Sequence, residues 1–106
     1  MQVVSLNDTN EFTPGALKRF FLVENSPFFK IINFNLDAGV TFPVHSHDLD
    51  GELSITVLEG EGFFLGDGDT QIAAGKGDIL ISPIREPHGV RAATKMRILV
   101  TIAPPI

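Results

Sequence analysis

Short apolar segments separated by Gly- and Pro-containing turns recur along the whole chain, and this spacing is what most limits its fold. The turns fall roughly every ten residues, for example at residues 37–39, 66–69 and 75–77. No segment shows a sustained helical period of apolar residues. The pattern therefore predicts an all-β protein, an antiparallel sandwich or barrel.

The strand pattern accounts for nearly all of the chain, and a length of 106 residues leaves room for one domain, residues 1–106. The segments on either side of Glu59-Gly60 are predicted to form a hairpin. A further segment carries His45 and His47. The predicted strands are residues 2–6, 19–24, 28–37, 53–59, 61–65, 70–73, 78–82, 87–93 and 96–103.

Charge and composition exclude several classes of function. The formal net charge is −5 and the Lys and Arg residues are scattered, so neither a nucleic-acid surface nor a basic membrane patch is expected. The absence of Cys excludes disulfides, thiolate metal sites and Cys nucleophiles. No signal-peptide pattern or apolar run of transmembrane length is present, so the expected compartment is the cytoplasm.

Three Phe-Phe pairs bear on the assembly of the protein: Phe20-Phe21, Phe28-Phe29 and Phe63-Phe64. Neighbouring residues of a strand point to opposite faces of the sheet, so each pair puts a ring on both faces. A barrel this small has few layers of its own to cover both faces. We therefore expect a homodimer.

The chain has only three histidines, and their spacing suggests metal chemistry. His45 and His47 are two residues apart, so in a strand both imidazoles leave the same face and can converge on one ion. A third imidazole ligand has to come from elsewhere in the chain, and His88 is the one that remains. On spacing alone, ordinary surface or core histidines remain the alternative.

Two stretches carry longer motifs around these histidines. Residues 39–60 (GVTFPVHSHDLDGELSITVLEG) contain Gly, five residues, His-x-His, a Glu and a closing Gly, and residues 77–88 (GDILISPIREPH) contain Gly, five residues, Pro and His. Together they resemble the two motifs of the cupin superfamily of small metal-binding barrels. The resemblance implies a double-stranded β-helix, or jelly-roll barrel, with His45, His47 and His88 as metal ligands.

Departures from these motifs leave two residues with open roles. Arg85 stands where the second motif has Gly; it is a candidate to hold a substrate carboxylate or phosphate, or simply a solvated or ion-paired turn residue. The motif's closing Asn is replaced by Ala92. Glu52 is at the cupin Glu position when counted from His47. However, it lies on the polar face of its strand, so it is either a fourth ligand or a surface residue.

A site of three neutral imidazoles leaves coordination positions open, which is typical of catalytic metals. The ligand types allow Fe, Mn, Ni, Cu or Zn. With no Tyr and no spare His, the candidates for proton transfer are Glu52 and Glu86, then Asp48 and Asp50. The expectation is a metal-dependent dioxygenase acting on a small organic substrate, with an isomerase as the second enzyme class. The alternative is a non-catalytic module that binds or senses a small molecule.

Overall fold

The computed structural model describes residues 1–106 and confirms the all-β prediction, with nine strands in two antiparallel sheets. A single 3₁₀ helix, Leu6–Thr9, precedes the strands. The strands are β1 (Leu17–Val23), β2 (Lys30–Leu36), β3 (Thr41–His45), β4 (Glu52–Glu59), β5 (Glu61–Leu65), β6 (Gln71–Gly75), β7 (Ile79–Pro83), β8 (His88–Ala92) and β9 (Met96–Ala103).

The two sheets have the strand orders β1-β2-β9-β4-β7 and β3-β8-β5-β6. The chain crosses repeatedly from one sheet to the other, and every pairing is antiparallel. This wrapping of two facing sheets is the double-stranded β-helix, or jelly roll. It closes the molecule around one interior and puts β3 and β8, the strands with His45 and His88, side by side.

Strand alternation builds the core between the sheets. In β4, Leu53, Ile55 and Val57 are buried while the residues between them are not. Inward-facing residues of β2, β5, β6, β8 and β9, together with Ile84 in the turn before β8, complete a single cluster of 14 buried apolar side chains. Burying each large side chain contributes on the order of 1.5–3 kcal/mol. The interior is thus filled mainly by packed side chains.

The predicted strand at residues 2–6 is wrong: residues 2–5 pair with no strand, and Leu6 already begins the 3₁₀ helix, which polar side chains hold on the outer face of the five-stranded sheet. Arg97, only 3% exposed, donates to the carbonyl of Leu6 and to the side chains of Asn33 and Asn35. Asn35 in turn donates to the carbonyl of Thr9. The chain has no helix of the length and hydropathy that a membrane crossing requires.

The predicted hairpin at Glu59-Gly60 is also wrong, although both of its strands exist. β4 pairs with β7 and β9, whereas β5 pairs with β6 and β8, so the chain changes sheets at this point. Gly60 makes this possible, because it has φ +85° and lies against the carbonyl of Lys95 with no room for a side chain. The turn predicted at residues 66–69 does join a hairpin, β5 to β6.

Candidate metal centre

The structure brings the three histidines together at one end of the barrel. His45 ends β3, His47 lies two residues further in the loop before β4, and His88 begins β8. His45 and His88 are directly opposite each other in the β3–β8 ladder. The ring centroids are 4.6 Å apart for His45 and His88, and 5.5 Å apart for His45 and His47.

A β-bulge in β3 aims His45 at His88. Phe42 pairs with Val90 and His45 pairs with His88, so Pro43 and Val44 together oppose Gly89. Without this extra residue the period of two would turn Phe42 and His45 to opposite faces. With it, both rings lie on one side, with centroids 4.9 Å apart. A proline is tolerated here because β3 is an edge strand.

Two of the three imidazoles are oriented by backbone carbonyls. The Nδ1–H of His45 donates to the carbonyl of Pro43 at 2.8 Å, and that of His88 donates to the carbonyl of Glu86 at 2.7 Å. Since a carbonyl can only accept, these bonds place the proton on Nδ1 and leave the Nε2 lone pair free in the neutral ring. This is the usual arrangement of a metal-binding histidine and its supporting partner.

Burial also favours the neutral form of His88. The residue is 4% exposed, and this burial lowers the pKa of its imidazole below 6.5, opposed by the hydrogen bond to the carbonyl of Glu86. The neighbouring His45 and His47 lower the pKa further. A metal ligand has to be the neutral imidazole, so the environment of His88 suits that role at neutral pH.

The donor set fits a divalent transition metal, although the side chains are not converged on one point. Two imidazoles bound to one ion at about 2.0–2.1 Å have ring centroids roughly 5 Å apart. The observed separations of 4.6 and 5.5 Å lie on either side of this value. In the present side-chain conformations, no group of three His, Asp or Glu residues has metal-site geometry. The His47 ring is exposed and has no hydrogen-bond partner that fixes it. Rotation of the His47 side chain would be needed to bring its ring to the same ion as the other two imidazoles.

Glu52 lies on the outside of the barrel. It is the first residue of β4, is exposed, and lines a shallow depression with Ser54, Ile81 and Thr101 on the outer face of the five-stranded sheet. The neighbouring Leu53 takes the inward position, as the alternation of β4 predicts. Glu52 is therefore exposed on the outer face, and the residues whose rings contact one another at this end of the barrel are the three histidines.

Arg85 is engaged by two carboxylates of the loop before β4. It contacts Asp48, and its Nη2 and Nε lie 3.0 and 3.1 Å from Oδ1 of Asp50. The turn that holds it is closed by the amide of Glu86 donating to the carbonyl of Pro83, and no non-Gly residue of the chain has positive φ. The turn therefore has no need of the Gly that cupin motifs have at this position.

A small cavity of about 110 Å³ reaches His88 from the side of the barrel, between β5, β7 and the turn before β8. It is lined by apolar side chains with Ser82, Thr70 and Glu86 as polar groups. Glu86 was among the predicted proton-transfer residues, whereas Ser82 carried no sequence signal of its own. The largest cavity, about 550 Å³, lies elsewhere, on the apolar outer face of the five-stranded sheet.

Comparison with known proteins places this architecture in a family. A family model described as a cupin domain matches residues 33–102. An RmlC-like cupin from Desulfovibrio desulfuricans is similar over 100% of this chain and 99% of its own, with 50% identity and a TM-score of 0.93. An RmlC-like cupin from Shewanella frigidimarina has 28% identity and a TM-score of 0.75 over 89% of this chain and 81% of its own.

The DMSP lyase DddQ from Ruegeria pomeroyi is more distant, with 25% identity and a TM-score of 0.71 over 82% of this chain and 46% of its own. No curated protein matches the sequence. The family model spans well over half of the chain, and it includes all three histidines and both of the motifs around them. The chain belongs to the cupin family.

Proposed function

We propose that this cupin binds one divalent transition metal, Fe, Mn, Ni, Cu or Zn, through His45, His47 and His88, and that it acts as a dioxygenase on a small organic substrate. The observation that carries the proposal is the pairing of His45 with His88. Their rings are 4.6 Å apart, and each has Nδ1–H bonded to a carbonyl, so that Nε2 is available. His47 is the third ligand, supplied by the adjoining loop.

The bound metal would supply Lewis-acid and redox chemistry at open coordination positions. The chain itself contributes the surroundings. Phe42 packs against His45, and Phe34 packs against Phe42, with centroids 4.9 Å apart in each pair. This apolar wall limits the access of water from the barrel interior.

Glu86 is the residue that we assign to proton transfer. It lines the same 110 Å³ cavity as His88, whereas Asp48 and Asp50 are paired with Arg85 and Glu52 faces outward. A carboxylate at the edge of this cavity is placed to accept a proton from a ligand bound next to His88.

The cavity limits the class of substrate. A volume of about 110 Å³ is well below the roughly 300–1,000 Å³ of pockets that hold drug-sized ligands, so the space next to His88 suits a compact ligand. No Lys or Arg side chain lines this space, and Arg85, in the turn before β8, is paired with two aspartates. We therefore expect a compact, uncharged or weakly polar substrate rather than a phosphate or a dicarboxylate.

Oxygen uptake tests the enzymatic proposal. The protein is reconstituted with Fe²⁺ and assayed with a panel of small diketones, thiols and catechols, with the His88→Ala variant as the control. Uptake that depends on both substrate and His88 supports the dioxygenase. An isomerase would convert a substrate without consuming oxygen, and this would replace the oxygenase assignment.

A non-catalytic binding module is the second candidate, and the shortage of acid–base groups around the cavity favours it. Glu86 is the one ionisable side chain besides His88 that lines this space. A binding module would hold one of the panel compounds in a calorimetric titration and leave it unchanged after prolonged incubation with metal-loaded protein. Conversion of any of these compounds to a product would support the enzyme over the binding module.

We also propose that the protein is a homodimer, in which a second copy covers the outer face of the five-stranded sheet. The 550 Å³ groove there is lined by Leu22, Phe29, Ile31, Leu99 and their neighbours, with no charged side chain among them. Two copies of one surface can therefore meet without like-charge repulsion, although each chain carries a net charge of −5. Light scattering of wild type and Leu99→Glu tests this: the variant should be monomeric, and a monomeric wild type would contradict the proposal.

A further inference from the structure

Two segments at the open end of the barrel are bonded to each other through their backbones. One is the loop of residues 46–51, which contains His47, and the other is the turn of residues 83–87, which leads into His88. The amide of His47 donates to the carbonyl of Ile84 at 3.2 Å, and the amide of Ile84 donates to the carbonyl of Gly51 at 3.0 Å. The loop and the turn therefore form one unit that carries two of the three histidines.

Arg85 reinforces this junction with its side chain. Its guanidinium extends from the turn to the loop, contacting Asp48 and lying 3.0 Å from Oδ1 of Asp50. The two aspartates flank Leu49, which packs on the core, so the guanidinium closes over the loop from outside. An arginine can satisfy two carboxylates at once because its donors are fixed in a planar fork.

His47 depends on this junction more than the other histidines do. The rings of His45 and His88 are oriented by carbonyls, whereas the exposed ring of His47 is not. What places His47 is therefore the path of its loop. That path is determined by the backbone bond to Ile84 and by the contacts of the flanking aspartates with Arg85.

We propose that Arg85 is a positioning residue: by clamping Asp48 and Asp50 it holds the loop so that His47 meets the metal with the other two histidines. The proposal rests on the three-histidine site proposed above. It gives Arg85 a role in organising that site in place of direct contact with substrate.

A positioning role and a purely electrostatic role of Arg85 predict opposite changes in metal affinity when the arginine is removed. If Arg85 acted only through its charge, its removal would relieve repulsion and strengthen the binding of a divalent cation. If it positions His47, its removal weakens binding. The expected loss is about threefold to tenfold, the scale of two solvent-exposed ion pairs and the lower end of effects seen for residues that support metal ligands.

The experiment measures the Kd of Co²⁺ and Zn²⁺ for the full chain by competition with a chromophoric chelator at 0.1 M salt. The variants are Arg85→Ala, Arg85→Lys and, as a matched loss of one exposed positive charge elsewhere, Lys76→Ala. We expect Arg85→Ala to bind both metals threefold to tenfold more weakly, Arg85→Lys to be intermediate, and Lys76→Ala to match wild type. If the Kd of Arg85→Ala is equal to or lower than that of wild type, the proposed positioning role of Arg85 is wrong.

Hydrogen exchange of the His47 amide supplies a readout that needs no metal. Because this amide bonds to the carbonyl of Ile84, opening of the loop exposes it. We expect the His47 amide to exchange several-fold faster in metal-free Arg85→Ala than in metal-free wild type. An unchanged exchange rate would contradict the proposal that Arg85 holds the loop. A wild type that binds no metal while the amide still responds to Arg85→Ala would refute the metal site and retain the loop clamp, so the two failures are distinguishable.

Discussion

Gly89 follows His88 in β8 and lies opposite the bulge of Pro43 and Val44 in β3. A Cβ added at Gly89 would lie 2.8 Å from the carbonyl oxygen of Phe42, 2.9 Å from the amide nitrogen of Val44 and 3.0 Å from its Cα. All three are backbone atoms, so none can rotate away. Since ordinary contacts begin at 3.4 Å, β3 would have to retreat by about 0.6 Å in Gly89→Ala.

This displacement has a cost in stability that can be estimated. Overpacking of this kind typically costs about 1–3 kcal/mol. Replacing Gly by Ala recovers about 0.4–1 kcal/mol, because Gly89 does not have positive φ and the unfolded chain loses entropy. We therefore expect the free energy of unfolding of the metal-free chain to fall by about 1–2 kcal/mol, measured by urea denaturation.

The same displacement should weaken metal binding, because it separates the strands that carry His45 and His88. We expect at least a tenfold rise in the Kd of Zn²⁺, measured by chelator competition. Gly75→Ala is the control, since a Cβ at Gly75 would approach only the carboxylate of Asp78, at 4.0 Å. This variant should leave the Kd unchanged and, with no clash to offset the entropy gain, should raise stability by about 0.4–1 kcal/mol. If Gly89→Ala had wild-type stability and wild-type Kd, the bulge would not be the close contact that aligns the site.

Three further predictions address proton transfer, pH and the polar cluster. Glu86→Gln should lower kcat by about 10²-fold or more in any reaction of the site while metal content measured by mass spectrometry stays at the wild-type level; unchanged kcat would remove Glu86 from the mechanism. Burial lowers the pKa of His88 in the folded chain. As the pH falls below 6.5, the unfolded chain therefore binds a proton at His88 before the folded chain does. Stability of the metal-free protein should therefore fall on acidification from about pH 6.5, with a slope from this group of at most about 1.4 kcal/mol per pH unit. His88→Gln should remove that part of the slope in urea titrations, and an identical slope would contradict the argument. Arg97→Met removes the charged donor shared by Asn33, Asn35 and the carbonyl of Leu6, whereas the two amide oxygens keep donors from Thr9 and Asn33, so unfolding should cost about 1.5–3 kcal/mol less while the Kd of Zn²⁺ stays unchanged; a loss under about 0.5 kcal/mol would show that the cluster contributes little.

The fold could be predicted because its determinants are local. Strand alternation and Gly- or Pro-containing turns are visible in the sequence, and the inward position of Leu53 next to the outward Glu52 followed from the period of two. The change of sheet at Gly60 could not be predicted in this way. A tight turn between two strands looks the same in sequence whether the strands pair with each other or with distant partners.

The candidate site was less accessible to sequence reasoning. The three histidines were identified by their motifs, but the alignment of His45 with His88 depends on a bulge, and the only local sign of it is Pro43 within the strand. The partners of Arg85 lie 35 or more residues away in the chain, so its pairing with Asp48 and Asp50 depends on tertiary structure. Ser82, on the wall of the cavity, occupies an inward position of a strand that is otherwise apolar.

The measurement that tests the account most directly is the metal stoichiometry of protein purified without chelator, by elemental analysis, with His45→Ala, His47→Ala and His88→Ala alongside. The account predicts about one transition-metal ion per chain in the wild type and a strong loss in each variant, with His88→Ala and His45→Ala losing the most because their rings are already oriented. Glu52→Ala should retain the metal. A wild type that stays metal-free after reconstitution, or full occupancy in all three histidine variants, would contradict the three-histidine site.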